Sequence, residues 1–162
     1  MRFHGCMAPL DIVTLIAAGA TLLVAGVFFG FSSFVMRAID SLPATESIAA
    51  MRAINRLAVT PAFMLALFGS AALSVGCAVV AVVNGSEGFP LLISGAAAAI
   101  IGVIGTTIAA NVPLNDALAE SGGNDDTATW ALFYRPWVRA NTVRTLAGVV
   151  SGALLIAAVV VR

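Results

Sequence analysis

Four apolar stretches, residues 12–35, 61–83, 89–110 and 143–161, account for most of the chain. Each is long enough to cross a hydrocarbon core, which takes about 20 residues at roughly 1.5 Å rise apiece. In lipid a backbone must satisfy its own N–H and C=O groups, so runs of this kind fold as helices. The expected fold is therefore all-α: an integral membrane four-helix bundle forming a single domain over residues 1–162. Composition agrees, because 60% of residues are apolar, 10% are charged and mean hydropathy is +1.05.

Charge narrows the partners. The formal net charge is zero and the sequence contains no lysine, so no basic patch points to nucleic acid. The bilayer is the one partner that composition implies. A single histidine, His4, cannot build a bis-His haem or a His-rich metal site within one subunit, and no metal cofactor is expected. Cys6 and Cys77 show no disulfide pattern and read as free thiols. Residues 1–10 are too polar for the apolar part of a signal peptide and the helix that follows is too long for one, so the first span should remain as an anchor. Met7 is as good a start as Met1.

Each span carries small residues four apart: Gly26 and Gly30, Ala72 and Gly76, Ala98 and Gly102, Gly148 and Gly152. Such spacing lets helix backbones approach closely where lipid removes the hydrophobic drive. An even number of spans puts both termini on one side and loops 1 and 3 on the other. The loop side holds Arg37, Arg52, Arg56, Arg135, Arg139 and Arg144, against only Arg2 and Arg162 at the terminal side. The positive-inside bias then makes loops 1 and 3 cytoplasmic, in what is expected to be a bacterial plasma membrane. Loop 1 contains an amphipathic helix, with Ile48, Met51, Ile54 and Ala58 on one face and Arg52 and Arg56 on the other. Asn55 lies on the apolar face, either capping a neighbouring backbone or aimed at an interior site. Thr60 and Pro61 read as the N-cap and first turn of the second span.

Polar and aromatic residues concentrate between and within the last two spans: Asn111-Val-Pro113-Leu-Asn115, then Trp130, Tyr134, Trp137, Asn141 and Arg144. On one helix the last five fall within a sector of about 80° at about 100° per residue. Pro136 is expected to kink or restart that helix. Trp130 fits an interfacial aromatic belt as well as a site. Arg144 is different, because only about 17 residues follow it, close to the minimum span, so its guanidinium belongs at the membrane boundary and should turn inward. Asn141, one turn earlier, suits an inward hydrogen bond. Asn111 and Pro113 either cap and stop the third helix or, with Asn115, add amides to the same cluster. The first span brings Phe28, Phe29, Phe31, Ser32, Ser33 and Phe34 to that membrane face. Together these residues suggest a small pocket for a flat aromatic ligand.

The pattern Asn111-Val-Pro-Leu-Asn115 followed by Trp130-x-x-x-Tyr134-x-x-Trp137-x-x-x-Asn141-x-x-Arg144-Thr-Leu resembles the small four-helix membrane proteins grouped with fungal anthrone oxygenases. The Gly-Phe-Phe-Gly-Phe-Ser-Ser-Phe end of the first span and Asn55 before Pro61 fit the same pattern, so the resemblance covers nearly the whole chain. It implies a membrane-embedded, cofactor-free oxygenation of polyketide anthrones to anthraquinones. Deprotonating such an acidic carbon gives a delocalised anion that reacts with oxygen. Candidates to stabilise that anion are Arg144, Asn141, Asn111 and Asn115, with Tyr134 as a further catalytic candidate. Candidates to hold the ring system are Trp137, Trp130, Phe31, Ser33 and Asn55. No convincing base stands out; Asp116 is the nearest carboxylate. The alternative is a non-enzymatic membrane protein that binds a quinone, a lipid or a partner subunit through the same pocket.

The arginine asymmetry makes a direct prediction. Cysteines placed at Ser47 and Ser121, in a background lacking Cys6 and Cys77, should resist an impermeant thiol reagent in intact cells. Rapid labelling of both from outside would invert the topology.

Overall fold

The computed structural model describes residues 8–122 and 125–162; Arg2, His4, Cys6 and Met7, read above from sequence, fall outside them. The described residues form five helices and no strand. Four are long and apolar enough to cross a membrane: α1 (Pro9–Asp40), α3 (Pro61–Val83), α4 (Phe89–Glu120) and α5 (Asp126–Val160). The fifth, α2 (Ala44–Ala58), is the amphipathic helix of loop 1. Thr60 caps α3 as expected, its Oγ1 accepting from the Phe63 backbone N–H at 3.3 Å.

The bundle is small inside and large outside. Ala17, Ala18, Ala71, Ala78, Ala81, Ser74 and Ser151 are buried, whereas Leu23, Leu65, Phe68, Ile101 and Ile108 are exposed. That arrangement suits a lipid solvent, which is as apolar as leucine; tight backbone approach and dispersion hold the helices instead. Helix α5 runs along α1 and α4, and α3 packs on α1 and α4. A Cβ added to Gly148 would stand 2.8 Å from Ala25 Cβ, and one added to Gly102 only 2.3 Å from Ala147 Cβ. The sequence spacing overstates the pattern elsewhere: nothing lies within 4 Å of a Cβ built on Gly26 or Gly76. Those two glycines, with Ala72, face outward. Most buried hydroxyls fold back onto their own helices, as Thr21 does to the Ala17 carbonyl at 2.8 Å, while Ser151 of α5 donates across to the Gly95 carbonyl of α4 at 2.8 Å.

Three helices overrun the bilayer at the same end. From Pro61 to Val83, α3 spans about 33 Å, one hydrocarbon thickness. Its Phe63, one turn in, meets Phe28 of α1 edge-to-face at 6.2 Å, so Phe28 marks the boundary. The rest of α1, the C-terminal part of α4 and the N-terminal part of α5 project beyond it and pack with α2 into a second apolar layer. Its core contains Met36, Ile39, Ile48, Met51, Leu118, Trp130, Phe133 and Trp137.

Two prolines do not do what their position suggests. Helix α4 passes through Pro113, which neither stops it nor makes Asn111 a C-cap, because a wide π-type turn at Thr107–Asn111 precedes the ring and relieves it. Helix α5 is unbroken at Pro136. An interior proline costs about 3 kcal/mol, and side-chain anchors on both sides offset it. Before it, Trp130 Nε1 donates to Asp40 Oδ1 at 2.7 Å; after it, Trp137 Nε1 donates to Asn115 Oδ1 at 2.8 Å.

Arg52 also departs from expectation. It does not point to water from the polar face of α2; its Nε donates to the Leu118 carbonyl at 2.9 Å and its Nη2 to the Ser121 carbonyl at 2.7 Å. These carbonyls end α4, so the guanidinium caps that helix and fastens α2 across it. At the far end of α2, Thr45 Oγ1 donates to Asp126 Oδ2 at 2.6 Å. Ser47, by contrast, is fully buried and donates to the Ile39 carbonyl at 2.7 Å. It is no place for a labelling cysteine; the exposed Glu46 and Glu120 report on the same two segments.

The packing predicts a contrast between two glycines. Gly102→Ala should lower the melting temperature in detergent, at a cost of about 1–3 kcal/mol, because Ala147 must move. Gly26→Ala, in open space, should leave it unchanged or raise it. Equal melting of the two variants would contradict the close approach of α4 and α5.

Candidate functional site

At the level where the bundle meets its second layer lies a cavity of about 440 Å³, within the range for a small-molecule ligand. Arg144 forms its floor. The guanidinium is buried, with Cζ 4.1 Å from the centroid of the Phe28 ring and 5.6 Å from that of Trp137. Both distances suit cation–π attraction, which strengthens when water is excluded. Nη2 donates to Asn141 Oδ1 at 2.6 Å and Nη1 to Thr107 Oγ1 at 3.3 Å, leaving Nε without a partner. Among the described residues no carboxylate pairs with it; the ion pair found there, Arg162 with Asp11 at 3.1 Å, belongs to the opposite end of the bundle. The site is thus a desolvated cation held by neutral dipoles and aromatic faces.

Asn141 sets the position of that cation. Because its Oδ1 accepts from Arg144, its Nδ2 is left to donate, and does so to the Phe28 carbonyl and to Ser32 Oγ, both at 2.7 Å. Both N–H groups of the amide are used, so it fixes α5 to α1 and has no donor left for a ligand. Wide turns occur on both partner helices here, at Phe31–Val35 in α1 and Thr107–Asn111 in α4. Such turns recur at functional sites because they shift the register of side chains and carbonyls.

Asn115 is oriented by the same logic. Trp137 Nε1 can only donate, so the amide oxygen must face it, leaving Asn115 Nδ2 as the free donor. Asn55 adds another, its Nδ2 buried and unpartnered, so its amide points inward and caps no neighbouring backbone. Both asparagines line the cavity and also a neighbouring one of about 370 Å³, whose other walls include Arg52, Arg56 and Asp116. The main cavity therefore presents free N–H donors on Asn55, Asn115 and Arg144, with the Asn55 amide oxygen as an accompanying acceptor. A ligand that fits them brings oxygen acceptors, and the unpaired cation favours one carrying negative charge. Phe31, 5.9 Å from the Trp137 centroid, and the apolar Met51 and Ile54 complete flat walls.

Of the sequence candidates, Arg144, Asn141, Asn115, Trp137, Phe31 and Asn55 line this cavity. Four do not. Asn111 is buried behind Trp137, its Nδ2 donating to the Trp137 carbonyl at 3.4 Å. Trp130 and Tyr134 stack at 5.8 Å in the second layer, one or two turns past the cavity. Ser33 turns back to the Phe29 carbonyl at 2.7 Å; its neighbour Ser32 is the serine that reaches the site. Helical spacing put these residues on roughly the right side but could not count the turns between them and Arg144. Thr107 escaped notice because a threonine in an apolar run carries no signal of its partner. Phe28 was visible only as one of several phenylalanines.

The family model described as anthrone oxygenase matches residues 62–154. Comparison with curated proteins and with solved structures returned no match. The matched segment is more than half of the chain and runs from the first turn of α3 through Asn115, Trp137, Asn141 and Arg144. The chain belongs to the anthrone oxygenase family.

Proposed function

We propose that this protein is a membrane oxygenase that binds a flat phenolic carbon acid of the anthrone type as its anion and exposes it to dioxygen. The observation that carries the reading is Arg144, a buried cation with no counter-anion among the described residues, in an aromatic cavity that also presents the free amide donors of Asn55 and Asn115. An anthrone methylene loses one proton to give an anion delocalised onto its oxygen. That oxygen is the acceptor Arg144, Asn115 and Asn55 await. The anion passes one electron to dioxygen and the resulting radicals combine to a carbon-bound peroxide. Loss of the second C–H proton with cleavage of the O–O bond leaves the ketone and water, so one methylene and one dioxygen give one carbonyl and one water. The chain's own part is to lower the cost of the anion, hold the ring system against the wall that Phe31 and Trp137 form, and exclude bulk water. Donors set in advance around developing negative charge contribute about 3–4 kcal/mol each where they act on the transition state.

One observation favours a second reading, a binding protein without turnover. Among the described residues, no carboxylate, imidazole, thiol or phenol lines the main cavity to act as a base. Asp116, exposed in the neighbouring cavity across Asn55 and Asn115, is the closest proton acceptor among its walls. On either reading, loops 1 and 3 and the cavity beside them face the cytoplasm, where the arginine bias puts them.

The two readings part on oxygen uptake. Purified protein in detergent, given a dihydroxyanthrone, should consume oxygen in step with the growth of quinone absorbance. Asn115→Ala should lower kcat about 100-fold through loss of one donor. Arg144→Lys keeps the charge but loses the planar fork, and should impair turnover while leaving the bundle folded. Saturable binding without oxygen uptake would establish the binding protein. Undiminished turnover in Arg144→Lys would remove this residue from the chemistry.

A further inference from the structure

The cavity's lining changes in one direction from buried to exposed. Phe28, Met51, Trp137, Asn141 and Arg144 are all under 10% exposed, whereas Val27 is 39% and Leu57 73% exposed. The rim they form with Ala58, Thr60 and Phe63 lies between α1 and the connection from α2 to α3. It is apolar apart from one hydroxyl. It also runs into surface that faces lipid, because Leu23 on α1 and Leu65 and Phe68 on α3 are exposed at 66%, 74% and 50%. Phe63 stands in the first turn of α3, so the rim sits where acyl chains meet headgroups. Flat amphipathic aromatics gather at that depth. On the opposite side of the cavity, across Asn55 and Asn115, lies the neighbouring compartment, whose walls carry the charged Arg52, Arg56 and Asp116 among Val59, Val112 and Ala119.

We infer that the cavity opens sideways into the bilayer between α1 and the α2–α3 connection, and that its ligand is an aromatic acid dissolved at the membrane interface rather than one taken from water. The direction of entry places the apolar body of the ligand against Val27 and Leu57 and sends its oxygen ahead to Arg144. Asn55 and Asn115 then separate this lipid-side chamber from the one that carries Arg52, Arg56 and Asp116, whose carboxylate offers a route for a proton. The identity of the ligand rests on the oxygenase reading, but the sideways opening does not.

The two tryptophans make the opening measurable, since Trp130→Phe leaves Trp137 as the sole indole, buried at the inner end of the cavity. In proteoliposomes, phospholipid brominated high on the acyl chain should quench Trp137 emission strongly, and aqueous iodide should not. Val27→Phe and Leu57→Phe, which fill the rim, should each reduce the lipid quenching. Leu23→Phe, one turn along the same face, should not. Added dihydroxyanthrone should compete with the lipid quencher. Quenching by iodide but not by brominated lipid would overturn the proposal, as would equal quenching in the two rim variants and the Leu23 control. These readings involve no turnover, so a protein that binds but does not oxygenate would still show them. A protein that oxygenates a ligand taken from water would fail them while keeping its oxygen uptake.

Discussion

The contact between Asn141 and Arg144 organises the membrane boundary of this protein. One amide accepts from the guanidinium and gives both its own N–H groups to α1, so three groups that lipid would leave unsatisfied satisfy one another. Thr107 ties the same cation to α4. The result joins α1, α4 and α5 at one level and, among the described residues, leaves the charge itself without a counter-ion. A buried cation without a partner is expensive when its only role is structural, and replacing such groups with apolar ones is often stabilising. Its retention here makes sense if a ligand supplies the missing anion.

That junction works because of what is built beyond it. Three helices continue past the hydrocarbon and, with α2, form a second layer around Met36, Met51, Leu118, Phe133 and Trp137. Arg52 fastens α2 to the end of α4, and Trp130 fastens α5 to Asp40. The cavity lies where the two layers meet, so its floor is membrane core and its roof is an interfacial helix. The amides of Asn115 and Asn141 are oriented by neighbours that can only donate or are already occupied, which settles their direction before any ligand arrives.

Much of this was legible in the sequence, and the limits have physical causes. Apolar length alone identifies the four crossing helices, because lipid allows a spanning chain few other structures. The polar residues at 130–144 and the asparagines beside Pro113 mark the right membrane face, since amides and a guanidinium are too costly to scatter in lipid. Depth along a helix is harder. Asn111, Trp130, Tyr134 and Ser33 share the cluster's side but stand a turn or more from the cavity, and wide turns in α1 and α4 shift the register that an ideal helix would give. The prolines misled for a related reason: their local preference to end a helix is weaker than the tertiary anchors around them. Arg52 looked solvated because the carbonyls it caps lie 66 and 69 residues away.

The central claim is that Arg144 awaits a negatively charged ligand oxygen, and the charge state of a bound ligand tests it most directly. A dihydroxyanthrone mixed with the purified protein under strict anaerobiosis cannot be oxidised, so its absorbance reports protonation alone. At a pH where the free compound is neutral, the bound compound should show the red-shifted band of its anion, and Arg144→Gln should abolish that band. A ligand that binds to the same extent but keeps the spectrum of the neutral molecule would contradict the account.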